Sequence, residues 1–302
     1  MDTNIKLLAD FGLAADAAPI GEGTQAVLYR LDDERALRIF RDASATRTIS
    51  QRADFLTAIG KQGLWFATPE FLEWGVIDNT LFAIERLLPG TNMAIELGRL
   101  RGVGRLTAWT NYAEAVHEIH TLNFKAPGFG DLYPHTADAP IRAKTWNEYL
   151  HLTIDNHLAL YRPELALDVP HLEGSIARLR KSIDTIPEPD PGHLVHGDFF
   201  PGNVMIDESH NVTAVIDWSE YCVVGDPILD LAGALIFLET QVHIEPSDLG
   251  HVRSHLVTIA GDHILKPISV YRSWIALMMT SRWYRQNSYR HYSWAIKQVR
   301  TC

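Results

Sequence analysis

The sequence predicts an α+β protein of two lobes, with a small β-rich N-terminal lobe that contains one helix and a larger, mainly helical C-terminal lobe. The chain has 302 residues, more than the ~100–200 residues of one ordinary domain. Polar and apolar residues alternate as in strands up to about Leu88-Pro89-Gly90, and apolar residues then recur at helical spacing. We therefore expect the lobes to comprise residues 1–88 and 89–302.

The N-terminal lobe is expected to hold two β-hairpins separated by a helix. The helix covers residues 45–60, where apolar side chains recur at near-helical spacing, and Gly60 is its expected C-terminal cap. Asp78-Asn79 is the expected turn of the second hairpin. The four predicted strands are residues 26–31, 35–40, 71–76 and 80–85.

The C-terminal lobe is expected to consist mainly of helices. Pro187, Pro189 and Pro191 predict an extended loop after the first group of helices. Short strand-like runs follow at residues 194–196 and 212–216. The predicted helices cover residues 106–122, 146–161 and 171–186, and helices dominate again from Ile228.

Charge and cysteine content narrow the class of protein. Lys and Arg total 27 and Asp and Glu total 37, a formal net charge of −10, which disfavours a nucleic-acid partner and suits a cationic small molecule. Cys222 and Cys302 alone cannot build a disulfide framework or a CxxC metal site. No targeting segment and no membrane-spanning stretch is visible. We therefore expect a soluble cytoplasmic protein, monomeric or homodimeric, without a membrane partner.

The chemically most informative segment begins at His196-Gly197-Asp198 and continues to Asn203 and Asp217. Carboxylate and amide oxygens are hard ligands that suit Mg²⁺. A further aspartate can accept the proton of a substrate hydroxyl. Phosphoryl transfer needs such a set, because its catalysis is mostly positioning and neutralisation of charge. The segment therefore predicts a metal and proton-transfer site.

Four motifs in this region resemble the aminoglycoside phosphotransferase family, which belongs to the protein-kinase-like fold. They are His-Gly-Asp-x-x-x-x-Asn, Ile-Asp-Trp, Gly-Asp-Pro and Asp-Leu-Ala, at residues 196–203, 216–218, 225–227 and 230–232. The resemblance implies transfer of a phosphoryl group from ATP or GTP, with Mg²⁺, to a hydroxyl of a small molecule. An aminoglycoside-like or other antibiotic is the implied acceptor.

The resemblance also implies a role for each residue of the segment. Asp198 would be the catalytic aspartate beside the acceptor hydroxyl. Asn203 and Asp217 would hold Mg²⁺, and His196 and Asp226 would mainly brace the loop. The alternative, a hairpin with polar turns, is disfavoured because several motifs occur in register.

A glycine-rich turn precedes the first strand and is expected to cover the nucleotide phosphates. Gly21, Gly23 and Thr24 form it, and glycines there would let backbone N–H groups approach phosphate closely. With Ala26, the same glycines also fit a dinucleotide-binding fingerprint. That reading requires a preceding strand and a following helix, whereas Pro19 precedes the turn and a strand-like run follows it. The dinucleotide interpretation is therefore disfavoured.

The rest of the expected nucleotide site departs from the kinase pattern. Arg38 occupies the strand position at which a phosphate-binding lysine is expected, and an arginine can also bind phosphate. The following helix should supply an acidic partner for it. Arg52 stands where a simple alignment would place that residue, so Asp54 is the candidate partner. The nucleobase is expected near the lobe connection, between Glu85 and Leu87.

The acceptor and the activity itself leave alternatives. Carboxylates would attract a cationic aminoglycoside, whereas Trp146, Tyr149, Trp283 and Tyr284 could line an apolar pocket for a macrolide. Choline, homoserine, methylthioribose and fructosamine kinases resemble the same fold, so a metabolic kinase is a second candidate. A non-catalytic nucleotide-binding module of the pseudokinase kind is a third, since Arg38 replaces the lysine.

Overall fold

The N-terminal lobe contains a five-stranded antiparallel sheet and two helices. The computed structural model describes residues 3–122, 124, 128–132 and 140–302. Neighbouring strands follow the order β1-β2-β3-β5-β4. The elements are α1 (Thr3–Asp10), β1 (Gly21–Glu22), β2 (Ala26–Arg30), β3 (Arg35–Phe40), α2 (Ile49–Gly60), β4 (Phe71–Ile77) and β5 (Thr80–Arg86).

Both predicted hairpins and the helix between them are present. Asp78 and Asn79 adopt φ values of 47° and 62°, the left-handed geometry of a tight two-residue hairpin turn. Gly60 is the last residue of α2 rather than its cap. Lys61 is the cap and keeps a right-handed conformation with φ −84°, so the helix ends without a left-handed glycine.

Strand alternation in β3 separates two faces of the sheet. Leu37 and Ile39 pack with residues of α1 in a small core on one face. Phe40 belongs to the large core shared with α2 and the C-terminal lobe, and Arg38 points to the same side because it is two residues away. In this way β3 directs Arg38 towards the other lobe.

The C-terminal lobe combines helices with two small antiparallel sheets, of order β11-β10-β6 and β8-β7-β12-β9. Its elements are β6 (Thr91–Asn92), α3 (Met93–Glu96), α4 (Gly102–Ile119), β7 (Phe129–Asp131), β8 (Arg142–Ala143), α5 (Trp146–Asp168), α6 (Leu172–Ile183), β9 (His193–Val195), β10 (Val204–Ile206), β11 (Val212–Val215), β12 (Val223–Gly225), α7 (Ile228–Ile236), α8 (Pro246–Ala260), α9 (Leu265–Met278), α10 (Arg282–Asn287) and α11 (Tyr289–Thr301).

Helix α4 lies at the centre of this lobe. Its Trp109 and Tyr112 are fully buried, and the Tyr112 hydroxyl donates a hydrogen bond to the carbonyl of Ala234 in α7 (3.1 Å). The described helices include none that is long and apolar enough to cross a bilayer. The predicted α+β class, with a β-rich first lobe and a helical second lobe, is confirmed. The boundary between residues 88 and 89 stays a prediction.

Candidate active site

The loop after β9 carries Asp198 and is fixed by buried hydrogen bonds. The backbone N–H groups of His196 and Gly197 donate to the carboxylate of Asp230 in α7, at 2.7 and 2.8 Å. Gly197 has φ +79°, and a Cβ there would lie 2.1 Å from the Tyr221 carbonyl oxygen. Only glycine fits this position, because the backbone of the loop lies directly against the backbone of Tyr221.

His196 is a fully buried link between this loop and the end of β11. Its Nε2 lies 3.0 Å from the carbonyl oxygen of Ile216, and the backbone N–H of Asp198 donates to its Nδ1 (3.3 Å). Burial lowers the pKa of His196 to about 4. The ring is therefore neutral at pH 7, with the proton on Nε2, and acts as a structural strut.

Asp198 is held by Asn203 at the mouth of the same loop. The Asn203 Nδ2 group donates to the Asp198 carbonyl oxygen (2.8 Å) and to its Oδ2 (3.2 Å). Burial raises the pKa of Asp198 to about 7, and the nearby carboxylates of Asp217 and Glu220 add to the shift. An aspartate with a pKa near neutrality can take up a proton at physiological pH.

The β10–β11 hairpin brings Asn203 and Asp217 to one end of the small sheet. Val204 pairs with Val215 in the register, and the backbone N–H of Ile216 donates to the Asn203 carbonyl oxygen (2.9 Å). Asp217 follows with φ +60° and a side chain that is 38 % exposed. The turn out of the strand leaves its carboxylate accessible.

The donor set suits a magnesium ion that is completed by phosphate and water. Because Asn203 uses its Nδ2 on Asp198, its Oδ1 is the atom available to a cation. Within the described ranges, no three His, Cys, Asp or Glu side chains form a metal cage. Mg²⁺ commonly takes only one or two protein ligands beside substrate phosphates and waters, so Asn203 and Asp217 fit it.

The glycine-rich turn lies above this site in the N-terminal lobe. The N–H of Gly23 donates to the Ala26 carbonyl oxygen (2.9 Å), and Thr24 is exposed. A Cβ at Gly21 or Gly23 would meet protein atoms only at 3.8 and 3.9 Å. These are ordinary van der Waals distances, so the protein's own packing does not require glycine at either position.

Arg38 is paired with Glu85, not with Asp54. Its Nε and Nη2 donate to the two Glu85 carboxylate oxygens at 2.7 and 3.2 Å, and both side chains are largely buried. Asp54 is exposed on α2, so the expected pairing is wrong. The reason lies in the sheet, since β3 pairs with β5 and sets Ala36 opposite Glu85, which puts Arg38 on the same face two residues away.

The backbone of the lobe connection is partly occupied. The N–H of Leu87 donates to the Glu34 carbonyl oxygen (2.7 Å) and that of Arg86 to the Glu70 carbonyl oxygen (3.0 Å). A nucleobase near Glu85 would therefore have to pair with other backbone atoms than these two N–H groups.

Arg52 joins the site and was not assigned a role by the sequence. Its Nη2 lies 3.6 Å from Asp217 Oδ1, and its Nη1 lies 3.5 Å from Gln25 Oε1. The signal that could have identified it was its position on α2, where an acidic residue was expected. With a positive charge at this position of α2, the ion pairs differ from the expected ones, since Arg38 pairs with Glu85 and Arg52 lies beside Asp217.

Asp226, expected to brace the catalytic loop, instead anchors other elements. Its Oδ2 accepts a hydrogen bond from the Tyr271 hydroxyl (2.6 Å), and its Oδ1 accepts from the Ile228 backbone N–H at the start of α7 (2.9 Å). Asp230, one turn further along α7, holds the loop. The sequence shows the Asp-Leu-Ala motif that contains Asp230, but it does not show that Asp230 contacts the loop after β9.

The aromatic residues proposed for an acceptor pocket divide into two groups. Trp146 and Tyr149 are buried in the hydrophobic core formed by helices of the C-terminal lobe, including α5, α6 and α9, and cannot line a pocket. Tyr284 is partly buried, and this burial, together with the charge of Asp198, raises its pKa to about 12. Trp283 is 47 % exposed and contacts Tyr284 edge to face.

Tyr221 is a further aromatic residue near the Asp198 loop, since its carbonyl oxygen lies against Gly197. It is 47 % exposed, and burial of its phenol together with Tyr284, Glu220 and Asp198 raises its pKa. Sequence reasoning missed Tyr221 because it lies outside the quoted motifs, although it follows Asp217 by four residues.

Known structures share this fold over nearly the whole chain. The complex of gentamicin with APH(2″)-IIa matches with a TM-score of 0.68 and 13 % identity, over 99 % of this chain and 96 % of that chain. The GDP complex of wild-type aminoglycoside 2′-phosphotransferase-IIIa matches with 0.67 and 13 %, over 100 % and 98 %. Macrolide 2′-phosphotransferase type I matches with 0.62 and 20 %, over 98 % and 95 %. The predicted fold is confirmed.

Sequence comparison gives the family. Hygromycin-B 4-O-kinase of Escherichia coli is 31 % identical over 171 residues, which are 52 % of this chain and 48 % of that protein. The chain thus spans about half the length of this curated relative. The sequence profile of the APH phosphotransferase enzyme family matches residues 16–249, which is well over half of the chain. The chain therefore belongs to the APH phosphotransferase enzyme family.

Proposed function

We propose that the protein transfers the γ-phosphoryl group of ATP or GTP to a hydroxyl of a small molecule, with an aminoglycoside-like antibiotic as the leading acceptor class. The observation that carries this proposal is the convergence of Asp198, Asn203 and Asp217. Asn203 contacts Asp198 directly, and the charge of Asp217 contributes to the raised pKa of Asp198. These groups lie below a glycine-rich turn and two buried arginines.

Asp198 orients the acceptor hydroxyl and accepts its proton. The acceptor oxygen forms a bond to the γ-phosphorus while the bond from that phosphorus to the β–γ bridging oxygen breaks. The nucleoside diphosphate leaves with the bond's electron pair, and the proton resides on the Asp198 carboxylate. Asn203 holds that carboxylate in place throughout by its Nδ2 hydrogen bond.

The nucleotide lies between the lobes in this proposal. Asn203 Oδ1 and the Asp217 carboxylate would hold Mg²⁺, which supplies positive charge for the β- and γ-phosphates. Backbone N–H groups of the glycine-rich turn cover the phosphates, apart from that of Gly23, which donates to the Ala26 carbonyl oxygen. Arg38 contributes its Nη1 edge, because its Nε and Nη2 already donate to Glu85.

The acceptor class follows from the charge and the aromatic residues around Asp198. Glu220 is close enough to affect the pKa of Asp198, and an amine of a cationic acceptor would balance these carboxylates. Tyr221 and Tyr284 offer ring faces beside them. Two related proteins are named for hygromycin B and macrolides, and a third is described in complex with gentamicin, which supports an antibiotic as acceptor.

The test is an assay of nucleoside diphosphate release with ATP and with GTP. The acceptors are hygromycin B, gentamicin, kanamycin, streptomycin, a macrolide, choline and homoserine. We expect an aminoglycoside to stimulate release most strongly. In the Asp198→Asn variant, the rate of release should be about 10²–10⁴-fold lower. Its KM for the nucleotide should stay within about twofold of the wild-type value, because Asp198 acts on the acceptor.

Two results would contradict the proposal. Best turnover with choline or homoserine would make the protein a metabolic kinase. Nucleotide binding without release in the presence of any acceptor would make it a binding module.

A further inference from the structure

Arg52 lies between the two parts of the proposed phosphate site. Its guanidinium bridges the glycine-rich turn, through Gln25 (3.5 Å), and the Asp217 carboxylate (3.6 Å). The side chain is only 12 % exposed. Its plane is also supported from one side, because the guanidinium carbon lies 5.8 Å from the centre of the Phe71 ring. The cation is therefore held in place before a ligand arrives.

The contacts of Arg52 leave its hydrogen-bonding capacity largely unused. Both distances are longer than the ~2.7–2.9 Å of charge-assisted hydrogen bonds. Its buried Nε has no hydrogen-bond partner in the described part of the chain. A buried polar group without a partner is costly, and such groups often mark a site that a ligand or ion completes.

Arg38 differs from Arg52 in this respect. Its fork donates two hydrogen bonds to Glu85 at 2.7 and 3.2 Å, so the protein itself neutralises its charge. Arg52 faces a metal-ligand candidate, Asp217, which is 38 % exposed. Of the two guanidinium groups, Arg52 has the larger unused donor capacity, and it lies beside both Gln25 and Asp217.

We propose that Arg52 is a ligand of the nucleotide phosphates, in a helix position where the kinase pattern places an acidic side chain. The planar fork of arginine matches two phosphate oxygens. In this arrangement the acidic partner of the strand arginine is on β5, as Glu85, and α2 supplies a cation instead. This inference rests on the proposed function, since it requires a nucleoside triphosphate in the cleft between the lobes.

The test compares a triphosphate with its nucleoside. Binding of a non-hydrolysable ATP analogue and of adenosine, or of the guanosine pair if the protein uses GTP, is measured for wild type, Arg52→Gln and Arg52→Lys. We expect Arg52→Gln to weaken analogue binding by about 10–100-fold and adenosine binding by less than about twofold. Arg52→Lys keeps the charge but loses the fork, so its loss should be about 3–10-fold.

Arg47→Gln is the matched control, because it removes the same charge. Arg47 is an exposed arginine just before α2. It should bind both compounds as wild type does. Equal losses of analogue and adenosine in Arg52→Gln would indicate a purely structural role and overturn the inference, as would unchanged analogue binding. If Arg52→Gln does not fold, wild-type affinity of Arg52→Lys overturns it.

These outcomes separate the inference from the proposed function. Wild-type protein that binds no nucleoside triphosphate overturns both. If wild type binds the analogue and transfers phosphate, and Arg52→Gln binds the analogue with the same affinity, only the inference about Arg52 is overturned.

Discussion

Asp198 is partly buried and has the chemistry of a proton acceptor. Burial raises its pKa to about 7, so a substantial fraction of the carboxyl is protonated just below neutral pH. A protonated carboxyl cannot take the acceptor's proton. The same environment that keeps Asp198 close to the reacting atoms therefore makes the reaction sensitive to pH.

We predict that kcat falls as the pH decreases through about 7, approaching a tenfold loss per pH unit below the pKa of Asp198. The direction follows from the raised pKa, because the active, ionised form is lost on acidification. The measurement is a pH–rate profile at saturating nucleotide and acceptor. Residual activity of Asp198→Asn should lack this limb. A wild-type rate that stays flat down to about pH 5, near the ordinary range of aspartate, would contradict the assignment.

The ion pairs of the N-terminal lobe show what residue patterns could not predict. The sequence predicts Asp54, the one acidic residue of the helix, as the partner of Arg38, but Glu85 is the partner in the structure. That pairing depends on β3 lying beside β5, with Arg38 opposite Ala83 and Ala36 opposite Glu85. Alternation predicts which side a residue points to, whereas the identity of the neighbouring strand comes from packing.

At the level of elements, the loop after β9 depends on the first turn of α7. The Asp230 carboxylate accepts the backbone N–H groups of His196 and Gly197, and burial raises its own pKa to about 7. Asp230 is almost fully buried. Through this contact, α7 fixes the position of the loop that carries Asp198.

We predict that Asp230→Asn lowers kcat by about 10–100-fold, because one of the two N–H groups loses its acceptor and the loop shifts. Nucleotide binding should change much less. Asp248→Asn is the control, since Asp248 is also almost fully buried but pairs with Arg105 rather than with the loop after β9. Both variants should lower the melting temperature. A kcat loss in the control equal to that of Asp230→Asn would show that general destabilisation is the cause.

Long elements could be predicted from the sequence, whereas of the short strands only β9 and β11 correspond to predicted runs. Helix α4 and the two hairpins of the first lobe have enough residues for a periodic pattern. Strands such as β6 and β12 have two and three residues, too few for alternation to be recognised. Yet β10, also three residues long, is one strand of the hairpin that brings Asn203 and Asp217 together. The motifs, rather than periodicity, indicated that hairpin.

At the scale of the whole molecule, the two lobes meet around the candidate site. Gln25, the residue after the glycine-rich turn, donates a hydrogen bond to Glu220 of the C-terminal lobe (2.7 Å). Arg52 and Asp217 form a second link between the lobes. The change of pattern near Gly90 predicted that there would be two lobes. It did not predict these links, because each joins residues more than 160 positions apart.

The acidic charge of the chain acts at the same scale. The net charge is −10, and carboxylates of Asp198, Asp217 and Glu220 lie close together. Arg52 of the N-terminal lobe lies beside Asp217 and offsets part of this negative charge. The central claim is that these carboxylates form one site for a metal-bound nucleotide.

The most direct test measures nucleoside triphosphate affinity by calorimetry with Mg²⁺ and with a chelator, for wild type and Asp217→Ala. We predict that wild type binds at least about tenfold more tightly with Mg²⁺, since Asp217 and Asn203 would hold the metal and its charge would neutralise the phosphates. Asp217→Ala should lose most of that difference. An affinity that is unaffected by Mg²⁺ in wild type, or a full metal effect in Asp217→Ala, would contradict the account.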